Sequence, residues 1–295
     1  MKLIRTLILG LLAVTAFAVV SCGPAKEDKS NSDEFAKAEE SLKDQIKDVA
    51  YNIPSPSEIP YLLQATGAEF NQSLINDKKK AEKYGTKSDK AALNLGIYAA
   101  DIGYLASYDK TQDAIDYINS SKALAENLGV VGSFDIGVLK RFEANIANKD
   151  SLGAIVDEAI KKTDKYLQDD SRNKLAALLI TGSFVEGLYI STGLIKSYPK
   201  NVLSDQDRNL ILTPLMRVVL EQKRSVDELI RMLNAVDQAE PVAGLVADLN
   251  SLQSSYSALN IDEQIKNNRA DLVLTDKNLV EITKIVEKVR KGITE

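Results

Sequence analysis

The 295-residue chain contains no histidine and no tryptophan, one cysteine and six phenylalanines. Without histidine there is no Ser-His-Asp or Cys-His nucleophilic apparatus, and no His-ligated zinc or haem. The absence of tryptophan counts against sugar recognition, because sugar faces usually stack on aromatic rings. Basic surplus is missing as well: the formal net charge is -5, and removing Lys2 and Arg5 with the leader described below takes it to -7. An acidic chain is a poor match for nucleic-acid phosphates, so no nucleic-acid partner is expected. What remains for building a site is carboxylates, tyrosines, lysines and hydroxyls, and no metal or cofactor is expected. The hydrophobic fraction of 44% and charged fraction of 27% are those of a globular protein with a real core.

The first 22 residues carry the strongest local signal. Met1-Lys2-Leu3-Ile4-Arg5 is a short positive start, followed by an apolar run from Leu7 to Val20. That length suits a signal-peptide core and is short for a permanent span. The run ends Val19-Val20-Ser21-Cys22, with the chain's only cysteine directly after a small residue. This resembles the lipobox of bacterial lipoproteins. It implies a signal peptide over 1–21, acylation at Cys22 and attachment to a membrane through N-terminal acyl chains; the alternative is an ordinary secretory leader with an incidental cysteine. An unpaired thiol in an oxidising compartment would be a liability, which favours modification. Residues 22–32 lack apolar periodicity and read as a disordered tether. Lys26-Glu27-Asp28 resembles the export signal of surface lipoproteins in Bacteroidota, although solvated tether charge accounts for it equally well. The expected location is the outer membrane, on either the periplasmic face or the cell surface.

From residue 33 onward apolar residues recur every three or four positions, and no alternating strand run is bounded by hairpin turns, so the expected fold is all-α with roughly ten helices in one domain over 33–295. A helix from Asp33 carries Phe35, Ala38, Leu42, Ile46 and Val49, and the prolines near Ile53 break it. A second is expected from Ser57 to about Asn76, and Lys78-Lys79-Lys80 reads as a solvated helix end. Helices follow from Ser88, from Thr111 to Leu128 with Gly129 as C-cap, over 133–147 and over 150–167. Others start at Ser171 and at Ser204, continue through Leu233 and, after Pro241, to Leu259. A last one from Thr275 turns Leu279, Ile282, Ile285 and Val289 inward.

Two of these helices look alike. At a constant offset of 85, Ala91-Ala92-Leu93 meets Ala176-Ala177-Leu178, Asp101 meets Glu186, Tyr104 meets Tyr189 and Leu105 meets Ile190. A duplication with halves 88–170 and 171–295 is plausible on this match. Gly96, Ala99, Gly103 and Ala106 share one side of the first helix. Glycine inside a helix costs about 1 kcal/mol against alanine, so close helix packing is the expected reason, with approach of a ligand to backbone as the alternative. Asp101 lies three residues from Tyr98 and from Tyr104, and Glu186 three from Tyr189, spacings at which helical side chains meet. If the two helices face each other, Tyr98, Asp101, Tyr104, Glu186 and Tyr189 form a polar pocket; the plainer reading is a satisfied polar cluster that fixes packing. Asp150-Ser151-Leu152 matches a three-residue O-glycosylation pattern of exported Bacteroidota proteins, making Ser151 a candidate site, while Asp150 or Ser151 is also an ordinary N-cap.

The stretch Leu93–Gly129 resembles a tetratricopeptide unit, but its loop comes about six residues too late for the period of about 34. An irregular stack of antiparallel helical pairs is therefore expected. Leu95-Gly96-Ile97-Tyr98-Ala99-Ala100-Asp101-Ile102-Gly103-Tyr104 and Val185-Glu186-Gly187-Leu188-Tyr189-Ile190 resemble strings in all-helical lipoproteins of Bacteroidota that have no assigned activity. That resemblance implies location and fold and leaves activity open. The expected function is a non-catalytic, lipid-anchored envelope module that binds another envelope protein or a small ligand. Glycan or small-ligand capture is the alternative, and a hydrolase using Asp101 and Glu186 the least favoured.

Overall fold

The computed structural model describes residues 68–130, 172–197, 222–259 and 277–295, with isolated positions at 64, 141, 145, 154, 155, 158 and 219. All of these belong to the compact unit Glu39–Glu295; a separate unit, Met1–Ala38, lies outside the described residues. Cys22, the tether, Ser151 and the helices expected over 33–49, 133–147, 150–167 and from Ser204 also fall wholly or largely outside them.

Among the described residues there are seven α-helices and no strand, so the chain is all-α. They are α1 (Ala81–Tyr84), α2 (Ser88–Ser107), α3 (Thr111–Asn127), α4 (Asn173–Ser197), α5 (Lys223–Asn234), α6 (Val242–Ala258) and α7 (Lys277–Thr294). Two of them are unlike the rest. Every residue of α2 from Ala91 to Ser107 is buried, as is every residue of α4 from Ala176 to Leu188. A helix that is apolar all round must sit inside the core, and these two pack on each other at its centre. Helix α4 is also long and apolar enough to cross a membrane, with a mean hydropathy of 1.5, yet 83% of that stretch is buried by the protein's own side chains. It is used as a core helix here.

The remaining helices are one-sided: α1, α3, α5 and α7 pack on one or both of this pair, and α6 packs on α5 and α7. In α6 Val242, Leu245, Leu249, Leu252 and Tyr256 point inward. In α7 the buried residues are Leu279, Ile282, Val286, Val289 and Ile293. Ile285, expected inward, is only half-buried, because the four-then-three spacing from Ile282 to Val289 selects Val286. Helix ends follow local chemistry. After α3, Gly129 adopts φ 73°, and the N–H groups of Gly129 and Val130 bond the carbonyls of Glu126 and Ala125 at 3.0 and 2.8 Å, a Schellman cap. After α2 the same cap forms around Asp109 at φ 58°, with Lys110 N–H reaching the Leu105 carbonyl at 2.9 Å. Aspartate tolerates this left-handed backbone better than most residues.

The helix expected to reach Asn76 does not do so: residues 68–71 are irregular and Gln72–Leu74 forms a single 3-10 turn. The Asn71 side chain accounts for this by accepting from Ser73 N–H at 3.0 Å and from Ser73 Oγ at 2.7 Å. Such local side-chain bonds compete with the helix ladder. Lys78–Lys80 is likewise a 3-10 turn, capped by Asp77.

Candidate functional site

The two resembling helices run side by side in the same direction. Asp89 pairs with Lys174 at 2.8 Å near their N-terminal ends, Gly96 meets Leu179 and Ser183, and Asp101 meets Glu186 further along. Asp89–Lys174 and Asp101–Glu186 are each separated by 85 positions, so residues equated by the internal match face one another. This pair is therefore parallel. Backbone contact makes it possible. A Cβ on Gly96 would overlap the Leu179 carbonyl oxygen and stand 2.7 Å from Ser183 N, and one on Gly182 would overlap the Leu93 carbonyl oxygen. The packing explanation holds for Gly96; Gly182 supplies the reciprocal gap and escaped the sequence reading.

This closeness brings the acids together. Both Asp101 and Glu186 are fully buried. Arg290, from α7, forks onto Glu186, with Nε and Nη2 each 2.9 Å from a carboxylate oxygen, and its guanidinium stacks 4.4 Å above the Tyr189 ring. A bidentate guanidinium–carboxylate pair of this kind is strong and directional. Asp101 Oδ2 accepts from the Asn76 backbone N–H at 3.1 Å, while Oδ1 is buried with no donor aimed at it. Burial first, then the neighbouring Glu186 charge, holds the Asp101 carboxyl well above the usual carboxylate range. For Arg290 burial works against the charged form, but Glu186 outweighs it and keeps the guanidinium charged.

The tyrosines do something different from what their spacing suggests. Tyr98 and Tyr104 give their hydroxyls to backbone and not to Asp101. Tyr98 donates to the Asp77 carbonyl at 2.9 Å, and Tyr104 accepts from Asn71 N–H at 2.9 Å. Tyr117 of α3 donates to the Asn76 carbonyl at 2.7 Å. With the Asn76–Asp101 bond, these fasten residues 71–77 as a strap across α2. Tyr84 donates to the Thr294 carbonyl at 2.9 Å and accepts from Asn76 Nδ2 at 3.2 Å, joining the strap to the end of α7. Burial raises the hydroxyl pKa of Tyr84, Tyr98, Tyr104 and Tyr117, so all four act as neutral hydrogen-bonding groups.

The expected polar pocket is thus a packed cluster. Of its five residues, Asp101 and Glu186 meet, Tyr189 joins them through Arg290, and Tyr98 and Tyr104 hold the strap. Arg290, Asn76, Tyr84 and Tyr117 were not singled out beforehand. For Arg290 a signal existed, because it stands one turn after Val286 and one before Ile293, on the edge of the buried stripe. Among the described residues no three His, Cys, Asp or Glu side chains gather to hold a metal. A cleft of about 770 Å³ opens elsewhere, where the starts of α2 and α6 meet the end of α7. Leu93, Leu245, Val289 and Ile293 give it apolar surface, Lys87, Lys90, Asp89, Glu240 and Asp248 give it charge, and none of its lining residues is aromatic. Compared with protein-family models, curated proteins and solved structures, the chain has no match.

Proposed function

We propose that this protein is a lipid-anchored module of a bacterial envelope, held to the outer membrane by acyl chains on Cys22, which binds an envelope protein or a small ligand without catalysis. One observation carries the reading: the only cysteine in the chain follows a small residue at the end of an apolar leader. In this reading a stack of about ten helices, resembling tetratricopeptide units only weakly, displays a binding surface beyond the tether. The carboxyl pair supports the non-catalytic part. Glu186 spends both oxygens on Arg290, and Asp101 and Glu186 are fully covered by protein. A hydrolase would need them in contact with water and substrate. A small ligand has the cleft beside Leu93 and Leu245 available instead, and clefts of a few hundred cubic ångströms with apolar walls and a few polar groups suit such ligands. The lack of aromatic lining weighs against glycan capture there.

Metabolic labelling with a fatty-acid analogue tests the anchor: label should be present on the wild-type chain and lost in Cys22→Ala. Cross-linking and capture from intact cells, with the lipidated chain as bait, then tests the binding role. A partner should be recovered with wild type and depleted with Cys22→Ala. Undiminished label in that variant would overturn the anchor.

A further inference from the structure

We propose that Asp101 and Glu186 hold one proton between them and that this proton makes the stability of the fold pH-dependent, rising as the surroundings acidify and falling as they turn alkaline. The inference is independent of the lipid anchor and rests on the geometry of the cluster. From α4 the groups that face Asp101 are Glu186 and, through Arg290, Tyr189. From α7 there is Arg290, from α1 Tyr84, from α3 Tyr117, from the strap the Asn76 N–H, and from its own helix Tyr98, with Asp77 acting on Tyr98 and Tyr117. Arg290 is the one cation among these groups, and it is engaged bidentately on Glu186.

Two ionised carboxylates against one guanidinium would leave a net negative charge on two acids that are both fully buried, a state that burial strongly disfavours. One proton cancels it. Placed on Asp101 Oδ1, it turns the buried oxygen that lacks a donor into a donor itself, directed at Glu186, while Oδ2 keeps the Asn76 N–H. Every carboxyl oxygen of the pair then has a partner, and the sum of charges is zero.

In the unfolded chain both acids lose their protons near pH 4. Between about pH 4 and the point at which the pair ionises, the folded state therefore binds one proton more than the unfolded state, and stability falls as pH rises. One extra bound proton corresponds to roughly a tenfold loss in the folding equilibrium constant per pH unit. This runs against the usual acid destabilisation of proteins, whose paired carboxylates lose stability on protonation. The amide introduced by Asp101→Asn would imitate the protonated acid permanently, with its nitrogen donating to Glu186 and its oxygen accepting from the Asn76 N–H.

The test is urea unfolding of full-length protein and of Asp101→Asn at pH 5, 6, 7 and 8. Asp101→Asn should remove a dependence of roughly tenfold per pH unit from the folding equilibrium constant, so that wild type gains on the variant as pH falls. Equal pH dependence in the two proteins would overturn the proposal. Infrared spectra of wild type in heavy water decide the matter should the variant not fold. A protonated-carboxyl carbonyl band should persist at neutral pH in the folded protein and vanish on unfolding; its absence from the folded protein would equally overturn the proposal.

Discussion

The seam between α2 and α4 is held in two unlike ways little more than one turn apart. Around Gly96 and Gly182 it is dry and fixed by shape, with the backbone of each helix occupying the space where the other would carry a side chain. Around Asp101 and Glu186 it is polar and fixed by charge, with Arg290 brought in from α7 to neutralise it. The first region tolerates no added atom and the second no unmatched charge. The two depend on one another, since it is the glycine contact that brings the helices near enough for two acids to crowd one buried site.

The largest effect should come from breaking the shape. Gly96→Ala and Gly182→Ala each place a methyl group into backbone that cannot yield, and each should lose roughly 3 kcal/mol or more in denaturant unfolding. Gly292, whose added Cβ would meet nothing within 4 Å, is the control, and its replacement by alanine should cost nothing and gain up to about 0.5 kcal/mol. A gain at Gly96 equal to that at Gly292 would show that helix propensity, and not the crossing, sets the effect. Breaking the charge comes next. Arg290→Met leaves the carboxyl pair without its cation and should cost about 2–3 kcal/mol; the usual range for a fully buried pair is higher, but this guanidinium is partly exposed. Taking one hydroxyl from the strap by Tyr117→Phe, which orphans the Asn76 carbonyl, should cost about 1 kcal/mol. Lys122→Ala, which removes only an exposed 3.9 Å pair with Glu126, should stay within about 0.5 kcal/mol.

Much of this arrangement was legible in the residues, and for identifiable reasons. Helical periodicity and Gly129 as a C-cap follow from local rules that tertiary context did not overrule. The approach of Asp101 to Glu186 could be anticipated because the internal match placed both on helices with small residues. The parallel sense of the pair could not, since an offset between two segments is silent about direction. The partners of Tyr98 and Tyr104 were hidden for another reason. Spacing along a helix shows which side chains can reach each other, but not that an irregular segment passes alongside with bare amides and carbonyls. The break before Asn76 turned on one Asn71 side chain choosing Ser73 over helix, a balance of about 1 kcal/mol that no periodicity records.

The strap has a consequence for how this protein can change over time. Asp101, Tyr98, Tyr104 and Tyr117 grip it through main-chain atoms of Asn71, Asn76 and Asp77, and main-chain atoms are the same in almost every residue. Substitutions at an exposed strap position such as Gln72 can therefore accumulate without loosening it. The tyrosines on α2 and α3 that read its path do not have that freedom. Among related chains, the strap should be found by the residues that hold it, long after its own sequence has drifted beyond recognition.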